Sequence, residues 1–296
     1  MRRLTHSRVA TGGLARGKKA DLVKVPPQKI HKMLAQSGLG SRRAMEVLIE
    51  QGRITVNSER AHLGARVGPR DQVRVDGRLV RLRFNRPLAR VLLYHKPEGE
   101  IVSRGDPEGR PSVFDKLPLL RGARWISVGR LDYNTCGLLI FTTSGELANC
   151  LMHPRFEVER EYAIRIRGTL LKDQIDRLRG GVPLADGEAR VERIEEQGGE
   201  GSNRWYRVVV KKGRNRIVRR LFEALELPVS RLMRVRFGIV SLPTWLKRGM
   251  WSEMEPEDAR KLSEWIGVSA RGEAKSGFPS ERRKPSGPLK SKFRNK

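Results

Sequence analysis

The spacing of apolar positions changes several times along the chain, and the changes mark out two folding units. In "QKIHKMLAQSGLGSRRAMEVLIEQGRITVNSERA", Ile30, Met33 and Leu34 fall on one helical face, and Gly38 closes that helix. Ser41 stands where an N-cap is needed. Ala44, Val47 and Leu48 form the expected buried side of a second helix, which Gly52 stops. Ile54 and Val56 then alternate as in a strand, and "DQVRVDGRLVRL" reads as a hairpin turning at Asp76-Gly77. These patterns predict a small domain over residues 28–88.

A larger unit follows over residues 89–267, after a short basic linker near "RFNRPLAR". Val91 to Tyr94 form an apolar run suited to a buried strand. Val128 closes one strand and Gly137 to Phe141 opens another, so "GRLDYNT" between them must be a tight loop over the sheet. "REYAIRIRG", "WYRVVVKKGRNR" and "VSRLMRVRFGIV" read as further strands, with Leu232 and Val235 turned to the core or a pocket wall and Arg231, Arg234 and Arg236 placed along a groove. A lone Asp in a loop is ordinarily a turn former or helix cap. Asp132 differs in its surroundings. Arg130 lies two residues before it, and Gly129 and Gly137 bracket the loop and allow close backbone approach.

Charge sharpens the picture. Of 296 residues, 61 are Lys or Arg and 33 Asp or Glu, a net charge of +28. Residues 1–29 and 268–296 each carry +7, leaving +14 for the middle. The ends, residues 1–27 and 268–296, are rich in Gly, Ser, Pro and basic residues and are expected to be disordered arms. Such a balance points to a polyanion as partner. No apolar run approaches the ~20 residues of a membrane span. The basic start lacks the apolar stretch of a secretory signal, which points to a cytoplasmic protein. Two cysteines, Cys136 and Cys150, support neither a disulfide framework nor a four-ligand zinc site, and read as small buried hydrophobes. The five histidines are scattered without a nucleophile to serve, and the five tryptophans read as core or hinge packing. In the small domain, Lys29, Lys32, Ser41, Arg42, Arg43 and Arg53 cluster around the helix starts, where backbone N–H groups attract phosphate and arginine adds a bidentate fork.

These residues also carry family resemblances. "K-M-L-A-Q-S-G-L-G-S-R-R" with "I-E-Q-G-R-I-T-V-N-S" resembles the S4 RNA-binding module, with Met33 adding bulk beside Leu34, Ile54 in place of the usual Val and Ser58 in place of the usual Gly. "GRLDYNTCGLLIFTTSGELANCLMHP" resembles motif II of the pseudouridine synthases. The likeness extends through "EVEREYAIRIRG" and "KKGRNRIVRRLFEALELPVSRLMRVRFG", and covers nearly all of residues 28–267. Within that family the chain is similar to the ribosomal RNA branch, and there to the large-subunit type.

The resemblance implies an α+β chain: an S4 domain, then a catalytic domain on a mixed, mainly antiparallel sheet flanked by helices. It implies isomerisation of a uridine to pseudouridine in large-subunit rRNA, at the position numbered 2605 near the peptidyl-transferase centre. No cofactor or metal is expected. The partner would be rRNA or a ribosome assembly intermediate, and the protein a monomer. Asp132 would be the carboxylate acting at C1′. Tyr162 would stack on the base and take the C5 proton. Arg219 would pair with Asp132, with Arg220 as the fallback, and Arg130 would fill the gap left by the extruded nucleotide. Arg214, Arg216 and Arg220 would meet phosphates. Cys136 departs from the family's usual Ser, and Ile217 stands where the branch often carries Gln or Glu. Three other readings remain: a sibling synthase with another target uridine, a non-catalytic rRNA-binding assembly factor, and a glycosidase-like hydrolase needing a second carboxylate ~5–10 Å from Asp132.

Overall fold

The computed structural model describes residues 26–82, 84 and 88–268. The basic ends foreseen in the sequence therefore lie almost wholly outside the described residues. The first domain opens with β1 (Gln28–Lys29), α1 (Ile30–Gln36) and α2 (Arg42–Glu50), followed by β2 (Ile54–Val56), β3 (Glu59–Arg60), β4 (Arg66–Val67), β5 (Val73–Val75) and β6 (Arg78–Val80). β1 pairs with β4, and the other four form a sheet in the order β3-β2-β5-β6. The Ser41 hydroxyl accepts the Ala44 amide at 3.0 Å and sets the start of α2. Asp76 and Gly77 both take positive φ, 50° and 75°, as the β5–β6 hairpin turn requires. The core joins Ile30, Met33 and Leu34 to Met45, Ile49, Ile54, Val67 and Val73. The buried face of α2 differs from expectation: Met45 and Ile49 point inward, while Ala44 and Val47 are exposed. Apolar residues at 44, 45, 47, 48 and 49 cover most of the helix circumference, so packing against α1 makes the choice that the pattern leaves open.

The second domain contains β7 (Val91–Lys96), β8 (Ile126–Ser127), β9 (Cys136–Thr142), α3 (Gly145–Met152), β10 (Arg160–Arg167), α4 (Lys172–Gly180), β11 (Arg193–Glu200), β12 (Asn203–Val210), α5 (Ile217–Glu223), β13 (Arg231–Phe237), β14 (Val240–Ser241), β15 (Trp251–Glu253) and α6 (Pro256–Trp265). Its main sheet runs β11-β12-β10-β13-β9-β7-β15, with β8 on β9 and β14 on β13. Every pairing is antiparallel except β9 with β13, where Met233 and Arg234 stand opposite Cys136 and Gly137. Cys136–Thr142 is buried throughout, as a central strand covered on both faces must be. One face packs Leu92, Tyr94, Leu139, Phe141 and Ile164 with residues of α4 and α5; the other packs Val91, Leu93, Leu138 and Ile140 with residues of α3 and α6. The chain is thus α+β on a mixed, mainly antiparallel sheet. Among the described residues no helix is long and apolar enough to cross a membrane.

The domains touch where the first presents glycines. At Gly38, with φ 87°, a Cβ would lie 3.2 Å from the Ala123 amide nitrogen, and Arg124 donates to the Gly40 carbonyl at 2.9 Å. Trp245 and Trp251, expected as packing residues, are substantially exposed beside a second cleft.

Candidate active site

A cleft of about 530 Å³ opens where β10 and β13 meet the loops ahead of β9 and α5. Its lining includes Arg130, Asp132, Thr135, Arg160, Tyr162, Arg214, Arg216, Ile217, Leu232, Arg234 and Phe237. Asp132 is the one acidic residue of that lining among the described residues, set among five arginines. The second carboxylate that a glycosidase-like hydrolase needs is thus missing from this wall.

The loop bearing Asp132 is held by its carbonyls. Gly129 takes φ 76°, a conformation that side chains disfavour, and turns the chain out of β8. The Asp132 carbonyl accepts the Thr135 amide at 3.1 Å, closing the turn, and the Tyr133 carbonyl accepts the Gly99 amide at 3.0 Å. Lys96, fully buried at the end of β7, donates to the carbonyls of Pro97 (2.8 Å), Thr135 (3.0 Å) and Tyr133 (3.4 Å). Burial pulls the Lys96 ammonium down to about 8, against the opposing pull of Glu100, Cys136, Asp132 and Glu98. Arg219 supplies a further clamp: it donates to the carbonyls of Asn134 (2.8 Å) and Val229 (2.7 Å).

Arg219 therefore departs from the expected ion pair. Among the described residues it makes no salt bridge to Asp132 within 4.0 Å; it grips the loop two residues beyond. Burial lowers its pKa, the charge of Arg216 adds to that, and the charge of Asp132 pulls it back up, so the two groups sense one another without direct contact. Tyr162, 8% exposed on β10, sits just past a bulge between Glu161 and Tyr162 and stands opposite Arg234 on β13. Arg130 is exposed at the cleft rim.

The remaining arginines of the α5 segment are less free than the sequence suggests. Arg220 pairs with Asp186, its Nη1 at 3.1 Å, and Arg214 reaches the same carboxylate and the carbonyls of Gly187 and Glu188. Arg216, at φ 45°, caps α5 and pairs with Glu223 at 3.3 Å. In the first domain Arg42 and Arg43 lie exposed at the start of α2, Lys29 is exposed beside α1, and Lys32 is half-buried on α1. Arg53 is held by Asp76 through two hydrogen bonds of 2.7 Å, and the Ser41 hydroxyl is engaged as a cap. The Arg42 guanidinium reaches the start of α3, where a Cβ on Gly145 would lie 3.7 Å from it. This brings the basic helix start of the first domain to the second, whereas Lys29 and Arg53 have no described contact with the cleft. Arg236 lies outside the cleft lining and binds Glu161 and Glu159, and Arg231 binds Glu98.

Sequence reasoning missed Lys96 and Arg160 and placed Arg234 merely along a groove. Arg234 is 2% exposed, with its Nε donating to the Leu138 carbonyl at 2.7 Å. Arg160 donates to the carbonyls of Val158 and Lys211, and both guanidiniums lie over the Phe237 ring, at 5.2 and 5.1 Å. Lys96, at the end of the apolar run that begins at Val91, was the available signal, whereas Arg160 and Arg234 lie in strands with three arginines each.

The family described as RNA pseudouridylate synthase matches residues 90–224, and the S4 domain matches residues 28–73. The ribosomal large subunit pseudouridine synthase B of Escherichia coli (strain K12) is 51% identical over 260 residues, covering 87% of this chain and 89% of that one. The protein of the same name from Pseudomonas aeruginosa is 54% identical over 243 residues, covering 81% of this chain and 63% of that one. Among solved structures, a crystal structure of a pseudouridylate synthase superposes with a TM-score of 0.55 at 20% identity, over 79% of this chain and 99% of that one.

Proposed function

Since the chain belongs to the RNA pseudouridine synthase family, among relatives of the large-subunit synthase B type, we propose that it converts one uridine of large-subunit rRNA, at the position numbered 2605, to pseudouridine, with Asp132 acting at C1′. The carrying observation is the cleft itself: one carboxylate, five arginines, and Tyr162 on the same wall. The reaction breaks the N1–C1′ bond, turns the base, and rejoins it through C5. An ionised carboxylate serves at C1′ as nucleophile or takes the C2′ proton, and either role needs it fixed against the sugar. The grip of Lys96 and Arg219 on the carbonyls of residues 133–135 supports that fixity. Tyr162 offers a flat surface for the extruded base. Arg130, at the rim, is placed to enter the gap left in the RNA. Extrusion costs a few kcal/mol of stacking, offset by the pocket and by phosphate contacts along the basic surface.

Pseudouridine mapping of rRNA from cells lacking the gene tests this reading. One large-subunit site should be lost, restored by the wild type and not by Asp132→Asn. The purified Asp132→Asn protein should lose at least ~10³-fold in rate yet bind the RNA nearly as well as the wild type. Loss at a different uridine would keep the chemistry and change the target. An unchanged map would count against the whole reading.

A further inference from the structure

Three of the cleft arginines have an occupation, and a fourth is exposed. Arg130 stands at the rim, Arg160 holds the carbonyls of Val158 and Lys211, Arg214 holds those of Gly187 and Glu188, and Arg216 pairs with Glu223. Arg234 is different. It is almost wholly buried, one nitrogen is used on Leu138, and its Nη2 is buried with no hydrogen-bond partner. Among the described residues no carboxylate lies within 4.0 Å of it, and a second cation, Arg160, lies over the same Phe237 ring. The Tyr162 hydroxyl interacts with the same guanidinium and favours its charged form. A guanidinium stays protonated at neutral pH even when buried, so the fold carries an unneutralised charge at the cleft wall. An apolar side chain of the same length would fill the space at far lower cost. The arrangement makes sense when an acceptor arrives with the substrate.

The reaction supplies one. When N1–C1′ breaks, the electron pair stays on the base, which becomes an anion with its charge spread over N1 and the two carbonyl oxygens. C5 then bonds to C1′, the C5 proton leaves, and N1 takes up a proton, so atoms and charge balance. Building on the proposed function above, we propose that Arg234 is a catalytic residue. Its free Nη2 donates to a carbonyl oxygen of the target uracil and holds the negative charge while the base is detached. The geometry of uracil adds a reason for a single fixed donor. Turning the ring about its N3–C6 axis exchanges N1 with C5 and, with them, O2 with O4. One guanidinium therefore meets a carbonyl oxygen both before and after the turn, without moving.

The test compares Arg234→Met and Arg234→Lys with the wild type, in single turnovers on an rRNA fragment bearing uridine or 5-fluorouridine at the target. Base detachment is read by nuclease digestion and mass spectrometry. On uridine, Arg234→Met should lose about 10²–10³-fold in rate, with RNA affinity nearly unchanged and Arg234→Lys partly restored. Fluorine stabilises the detached anion by itself, so the rate ratio of 5-fluorouridine to uridine should rise at least ~10-fold in Arg234→Met over the wild type. That ratio is internal to each sample, so partial loss of folded protein cancels, and if the neutral variant folds poorly Arg234→Lys supplies the reading, with a smaller rise expected. An unchanged ratio, or a wild-type rate in Arg234→Met, would overturn the proposal. A wild type that isomerises no uridine would instead overturn the function on which it rests.

Discussion

At the scale of single residues, the candidates carried by a local motif were easier to read than those buried between strands. Asp132, Tyr162 and Arg219 each sit inside a short local motif, and the cleft brings the first two to one wall. Lys96 and Arg234 owe their roles to burial by strands distant in sequence, which no local pattern records. Lys96 gives a pH signature. Its folded value of about 8 lies below the 10.5 of an exposed lysine. Below pH 8 it is protonated in both states. Between pH 8 and 10.5 the unfolded chain still binds the proton that the folded chain releases, so this group makes stability rise with pH across that window. The stability difference between wild type and Lys96→Met should therefore shift in favour of the wild type by about 3 kcal/mol from pH 8 to 10.5. Urea unfolding of both proteins at several pH values measures it, and a flat difference would mean that Lys96 does not titrate there.

At the scale of elements, the decisive one is β13, which lies between β9 and β10. Its alternation announced a strand, but not its parallel pairing with β9, because pairing partners are set by topology rather than composition. The junction depends on Gly137. With φ 105°, a Cβ there would lie 2.3 Å from the Arg234 carbonyl oxygen, inside the contact distance of real atoms. Gly137→Ala must push the two strands apart. It should cost several kcal/mol of stability, and more activity than a mutation of equal cost in α6, since it separates Asp132 from Arg234. Thermal melting and single-turnover rates of the two variants decide this. The helix α2 shows the opposite limit: its existence and its Ser41 cap were legible, while its buried face was not, because too many of its positions are apolar.

At the scale of the whole molecule, charge says more than shape. The two-domain order was legible from the motifs, and the contact between Gly38 and Ala123 was not, since a glycine tolerating a neighbour's backbone looks like any glycine in a turn. Residues 1–25 and 269–296 hold 16 of the 61 basic residues. If they reach phosphates, trimming both should flatten the logarithmic dependence of RNA affinity on salt by at least about 3. Filter binding at several salt concentrations gives the slope, and an unchanged slope would make these segments solubilising only. The position of β13 also has a bearing on synthesis. The Asp132 loop and Tyr162 are made early, yet they flank a strand that ends at Phe237. Until that strand has left the exit tunnel and slid between its neighbours, the two walls of the cleft have nothing to join them. The cleft is thus assembled only after residue 237 has been made.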